Sequence, residues 1–197
     1  MSETLLRRVA REARQCRFCE ERLLEAPRPV FRAGATARLL IVGQAPGRRV
    51  HETGIPWNDP SGDVLREWLR MDRETFYDTS RIAIVPVGLC YPGTVDGVDL
   101  PPCPACAPRW QPRFRAALPE VSLTLLVGSY AQAYYLKERR KASVADTVRA
   151  WREYLPEYFV LPHPSWRNKA WVARNPWFTN LVIPSLRRRV NALLRTV

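Results

Sequence analysis

The sequence predicts an α/β fold: a three-layer α/β/α sandwich around a central, mostly parallel four-stranded sheet. Three observations point there. Short apolar runs alternate with helical patterns along the chain. Each run is continuously apolar, as strands covered on both faces are. Three of the runs lead into unusual turns: Gly43-Gln44-Ala45-Pro46-Gly47, Gly88-Leu89-Cys90-Tyr91-Pro92-Gly93 and Leu161-Pro162-His163-Pro164-Ser165-Trp166. In a parallel sheet, ligands bind beyond the carboxyl ends of the strands, where such turns lie.

The elements follow in order. Residues 3–15 read as a helix with Leu5, Leu6, Val9 and Ala13 on one face. Pro27 to Val30 is a loop, and Arg38 to Val42 a buried strand. Gln44 to Gly62 reads as a long loop, and long ordered loops are usually functional. Ser61 or Asp63 is expected to cap a helix running to about Met71. Ile82 to Val87 is a second strand, and Cys90 to Pro104 another loop. Helices are expected over Cys106–Leu118, Gly128–Lys137, Ser143–Leu155 and Asn180–Leu194. Strands are expected over Leu123–Val127 and Tyr158–Leu161. Length fits one domain over residues 1–197, without repeats or low-complexity segments.

Composition narrows the class. There are 31 Lys and Arg against 19 Asp and Glu, a formal net charge of +12. Such an excess attracts polyanions, nucleic acid foremost. The bias toward Arg suits bidentate phosphate contacts. The Arg187-Arg188-Arg189 run in the last helix reads as a solvated face or as a DNA contact. No apolar stretch is long enough for a membrane span, and the charged N-terminus lacks a secretory core, so the expectation is a cytoplasmic protein. The absence of GxGxxG and GxxxxGK[ST] argues against a doubly wound nucleotide-binding enzyme.

Three segments carry candidate chemistry. Glycines flanking the Gly43–Gly47 turn let backbone amides approach a ligand, and Gln44 offers an amide to a base edge. Trp57, in Gly54-Ile55-Pro56-Trp57-Asn58-Asp59, is either a stacking platform for an extruded base or a core plug. Only His51 and His163 are histidines. His163 sits between two prolines after the last strand, where an imidazole can donate to a developing anion or exchange a proton.

Five cysteines occur: Cys16, Cys19, Cys90, Cys103 and Cys106. In a chain of this length without an export signal, they read as a metal site. Cys16, Cys19, Cys103 and Cys106 form a Cys-x-x-Cys…Cys-x-x-Cys pattern that suits structural zinc.

In order and spacing, these segments resemble the uracil-DNA glycosylase superfamily, nearest its iron–sulfur-containing, thermophile-type branch. The likeness rests on Cys16-x-x-Cys19, the Gly43–Gly47 turn, Thr53-Gly54-Ile55-Pro56-Trp57, the fifteen residues between Cys90 and Cys106, and His163-Pro164-Ser165. It implies a DNA glycosylase acting in base-excision repair on a deaminated base, uracil foremost, and a monomer. Gly43, Gln44, Ala45, Pro46 and Gly47 would form the water- and base-binding loop. Trp57 would stack on the base, and His163 would stabilise the leaving anion. Ser165 would touch the backbone, and Trp166, Arg167 and Asn168 would enter the minor groove. Cys16, Cys19, Cys90 and Cys106 would hold a [4Fe–4S] cluster, with structural zinc as the alternative.

The chain departs from the branch at three positions. Gln44 replaces an acidic residue, Val50 stands at the water activator, and Pro86 stands at the Asn that reads the uracil edge. Asp59, Asp63, His51 and Glu52 are the candidate substitutes. If none serves, the resemblance implies a DNA- or abasic-site-binding protein with weak or no catalysis.

Overall fold

The computed structural model describes residues 2–195. The central sheet contains β1 (Leu39–Val42), β2 (Ile82–Ile84), β5 (Leu123–Val127) and β6 (Tyr158–Leu161), in the order β2-β1-β5-β6. All of its pairings are parallel, with Leu39 opposite both Ile82 and Leu123, and Thr124 opposite Tyr158. Every residue of β1, β2 and β5 is buried, so both faces of the sheet are covered. The chain leaves β1 toward β2 and then returns to β5 on the other side. This reversal places a crevice at the carboxyl ends of β1 and β5.

Helices supply the outer layers. α1 (Ser2–Arg14) buries Leu6, Val9 and Ala13 and packs on α5 (Cys106–Ala117). α3 (Pro60–Leu69) packs on α9 (Ile183–Arg195), which lies against β1. α6 (Ser129–Leu136) covers β5, and α7 (Val144–Arg149) covers β6. Trp151 stacks on the fully buried Phe159 of β6, with ring centroids 4.9 Å apart. Among the described residues, no helix is long and apolar enough to cross a membrane.

Several elements differ from the sequence expectation, each for a local reason. β2 is regular only over Ile82–Ile84, although Val85 and Val87 N–H still donate to Ile41 O and Gly43 O beyond it. The 44–62 loop contains a six-residue helix, α2 (Arg48–Thr53). α3 is capped by Asp59 rather than Ser61 or Asp63: its Oδ1 accepts from Gly62 N at 2.8 Å, and Pro60 opens the first turn. A further helix, α4 (Arg73–Tyr77), starts at Asp72, which caps Thr75 N at 2.7 Å. The 90–104 loop carries a hairpin of β3 (Thr94–Val95) and β4 (Val98–Asp99). Its turn residues Asp96 and Gly97 both have positive φ, as a tight two-residue turn requires. The expected 143–155 helix is α7 followed by a 3-10 turn over Trp151–Tyr154. α8 (Lys169–Arg174) was not anticipated, and α9 is preceded by a π turn over Phe178–Val182.

Arginines close the ends of these elements. Arg187 donates to Trp68 O and Glu67 O, both at 3.0 Å, satisfying the last carbonyls of α3. Arg187 is therefore committed inside the fold, and Arg188 reaches Ser185 Oγ at 3.1 Å. Arg38 and Arg81 donate to Leu193 O and Leu194 O at the end of α9.

Phe159→Ala removes the fully buried ring beneath Trp151 on the edge strand β6. It is expected to cost about 3–5 kcal/mol, read as a lowered midpoint in urea unfolding.

Candidate active site

The site begins with backbone geometry. Parallel hydrogen bonding runs past the end of β2 into the loop after β1: Val85 N–H donates to Ile41 O (3.0 Å), Val87 N–H to Gly43 O (3.0 Å) and Gly88 N–H to Gln44 O (2.8 Å). Gly43 lacks a side chain where the Trp57 indole arrives, since a Cβ there would lie 2.7 Å from Trp57 Cζ2. Gly62 serves the same residue from below, since a Cβ there would lie 1.8 Å from Trp57 O.

Trp57 has a left-handed backbone, with φ 57°. Buried Arg66 donates to Trp57 O at 3.2 Å and pairs with Asp63. Tyr77 Oη donates to Pro56 O at 2.8 Å, and Arg73 donates to Asn58 Oδ1 at 3.0 Å. The indole stands 5.6 Å from the His163 ring, tilted by 33°.

His163 is partly buried just beyond β6. Asn168 Nδ2 donates to His163 O at 2.7 Å, and Gln132 Nε2 donates to Leu161 O at 2.9 Å, so both sides of the loop are fixed. Burial pushes the His163 pKa below its ordinary 6.5, against the opposing pull of the Asp59 and Asp99 carboxylates. The ring is therefore neutral at pH 7, with one N–H to donate and one nitrogen to accept.

These groups border a small cavity that is partly open to solvent. Gly43, Gln44, Ala45, Pro46, Gly47, Trp57, Asp59 and His163 line it, with Val30, Val50, Pro56, Ile84 and Pro86 as an apolar floor. An outer groove of about 1350 Å³ shares Gln44–Gly47, Asp59 and His163, and adds Ser165, Trp166, Arg167, Asn168, Tyr130 and Asp99. Trp166 is 79% exposed there. The fold thus gathers most of the residues singled out in the sequence.

His51 and Glu52 lie on α2, outside the lining of both spaces. The His51 ring packs 5.6 Å from Tyr91, and its buried Nδ1 has no partner. Glu52 is exposed, and its backbone carbonyl, like that of His51, accepts from Arg28. Asp63 pairs with Arg66 beneath Trp57. Val50 and Pro86 meet the cavity without a polar side chain, and the Pro86 carbonyl accepts from Gln111 Nε2 at 2.7 Å.

A family model described as the uracil DNA glycosylase superfamily matches residues 31–187 of this chain. The chain belongs to the uracil DNA glycosylase superfamily. A solution NMR structure from Methanosarcina acetivorans, of a protein provisionally named a uracil DNA glycosylase, is also similar: 15% identity, 84% of this chain and 98% of that chain covered, TM-score 0.49.

This uracil DNA glycosylase superfamily member has a second, small cavity lined by all five cysteines. Leu23, Pro27, Pro29, Leu89 and Trp110 complete its apolar wall. Leu89 N–H donates to Cys106 Sγ at 3.3 Å, and the Cys19 and Cys103 sulfurs stand 2.7 Å apart. Cys103, left out of the ligand set implied by the resemblance, thus shares the cavity. Among the described residues, no three His, Cys, Asp or Glu converge on a single-ion position. Burial pushes the Cys90 thiol up to about 12 and the Cys106 thiol up to about 11, and raises that of Cys19. Those thiols are protonated at neutral pH, so any metal bound there displaces protons.

Sequence reasoning missed Asp99, Tyr130 and Arg66. The Asp96-Gly97 turn signalled the hairpin that carries Asp99 toward the groove.

With only two histidines, imidazole NMR resolves His163. It is expected to titrate below pH 6.5, and Asp59→Asn should lower it further by removing a charge that favours the cation. A depressed histidine stabilises the fold fully above its unfolded value of about 6.5. That contribution is lost as pH falls through the folded value.

Proposed function

We propose that the chain is a DNA glycosylase that hydrolyses the N-glycosidic bond of a deaminated base, uracil foremost. One observation carries this reading: a narrow cavity bounded by Trp57 and His163 opens onto a groove in a chain of net charge +12. The cavity is too narrow for a duplex, so the target nucleotide enters extruded. Trp57 provides a face for the base, and the apolar floor excludes water. Gln44 offers both a donor and an acceptor to an imide edge, in place of the amide that Pro86 lacks. As the C1′–N bond breaks, its electron pair leaves on the base. Neutral His163 donates its N–H to the anionic carbonyl oxygen, as an oxyanion-hole donor does. Ser165 and Arg167 line the groove where phosphates run, and Trp166 is free to lean into the duplex.

We further propose that Cys16, Cys19, Cys90 and Cys106, all at the second cavity, would hold a [4Fe–4S] cluster. Soft thiolate donors in an apolar wall suit it, and Leu89 N–H on Cys106 Sγ is the kind of bond that tunes such centres. When bound, the cluster supplies cross-links that pin the end of α1, the segment after β2 and the start of α5.

Duplexes and single strands carrying uracil, hypoxanthine or xanthine, followed by alkaline cleavage, test the activity. Product from the uracil strand is expected, and His163→Ala should lower its rate tenfold or more, about the scale of one lost oxyanion donor. Tight binding to an abasic-site duplex with no cleavage of any substrate would instead establish a binding-only protein. Val50 and Pro86, apolar at the cavity floor, favour that second reading.

Iron and sulfide assays on anaerobically purified protein test the cluster. A brown protein that loses iron in Cys90→Ser and keeps it in Cys103→Ser is expected. Zinc without iron, lost in Cys103→Ser, would replace the cluster with the Cys16, Cys19, Cys103, Cys106 zinc set.

A further inference from the structure

We propose that Asp99 is the carboxylate that takes the proton from the attacking water, an assignment that rests on the glycosylase reading. With the base in the inner cavity and the phosphates in the groove, C1′ of the sugar lies where the two spaces join. That junction is formed by Gln44–Gly47, Asp59 and His163, which line both. Two carboxylates stand near it: Asp59 lines both spaces, and Asp99 faces Gly47 from the groove. Asp59 has one oxygen committed to Gly62 N, where it holds the start of α3 beneath Trp57. Asp99 comes from the opposite wall, on the hairpin, and lines only the groove.

Its geometry suits the task. Thr94 Oγ1 donates to Asp99 Oδ1 at 2.6 Å, which orients the carboxylate. Asp99 Oδ2 faces the Gly47 turn, 3.7 Å from where a Cβ would stand, so the carboxylate lies beside the loop that borders the junction. Asp99 is also close enough to act electrostatically on His163 across the junction. A carboxylate here opposes DNA binding by repelling phosphates, so a purely DNA-binding surface gains nothing from it. Val50, at the position of the branch's water activator, offers no proton acceptor.

The step balances without another reactant. The C1′–N bond breaks with its electron pair on the base, leaving positive charge on the sugar that the Asp99 carboxylate stabilises. The water oxygen bonds to C1′ while one of its protons passes to Asp99 Oδ2. Asp99 then releases that proton to the base anion or to solvent. The products are the free base and a sugar hydroxylated at C1′.

The test pairs single-turnover excision of uracil from a uracil-containing oligonucleotide with equilibrium binding to an abasic-site duplex, using the full chain. Asp99→Asn is expected to slow excision by about 10²–10⁴-fold, the usual contribution of a proton-transfer group. Its affinity for the abasic duplex should stay equal or tighten, because a charge repelling phosphate is gone. Asp99→Glu should recover part of the rate, which a structural role alone would not produce. An active wild type with Asp99→Asn within twofold of its rate overturns the assignment and leaves the glycosylase reading intact. Parallel losses of rate and affinity would also overturn it, by showing a binding role. A wild type inactive on every substrate overturns both.

Discussion

The backbone of a strand buried on both faces cannot leave its polar groups unmade, and an unsatisfied one costs about 1–3 kcal/mol. Around β1 this requirement extends beyond the regular sheet. Carbonyls of Ile41, Gly43 and Gln44 each accept an N–H from the segment after β2, locking two loops into one piece. Gly88 allows the close approach, since a Cβ there would lie 2.7 Å from Pro102 Cβ and 3.2 Å from Ala45 Cβ. The joined segment faces both cavities. Pro86 lines the inner active-site space, while Gly88, Leu89 and Cys90 line the cysteine cavity. Val30 N–H, on Leu89 O at 2.7 Å, ties in a third strip of chain whose residues are likewise divided between the two spaces. The cysteine cavity and the cavity beside Trp57 and His163 are therefore joined through a few hydrogen-bonded residues.

The large positive charge is partly internal carpentry. Arg28, Arg38, Arg81 and Arg187 donate to carbonyls at helix ends, where cations also complement the helix dipole. Arg66 is buried beneath the Trp57 loop. These side chains set the shape of the molecule more than its affinity for a polyanion. Long-range attraction still reflects the full balance of charges, and Arg167 lines the groove.

The strands were legible because a short, continuously apolar run between turns has no polar face to leave in water, and a two-sided sheet core is where it can be buried. α2 was not, since Arg48–Thr53 buries only Val50 and presents no apolar stripe. The hairpin had a local signal in Asp96-Gly97, but its two-residue strands are too short to show alternation. In the site, Trp57, His163 and the Gly43–Gly47 turn stood out by residue type and position after strands. Asp99 did not, because only the folded hairpin brings it to the groove. Arg66 reads in sequence as an ordinary exposed helix residue, and its burial depends on Tyr77 and Trp57 arriving from other segments. His51 drew attention as a titratable group beside a motif, yet a helical turn directs it toward Tyr91.

Trp57 holds a backbone conformation that a glycine would adopt freely. For a bulky residue such a setting costs on the order of 1–3 kcal/mol, and surrounding bonds must over-determine it. Arg66, Tyr77, Asp59 and the bare face of Gly62 do so here. Glycine at position 57 would relax the loop and delete the ring that bounds the cavity. The relief would be offset by the lost packing of the indole against the core, so the ring and its strained backbone are kept or lost together.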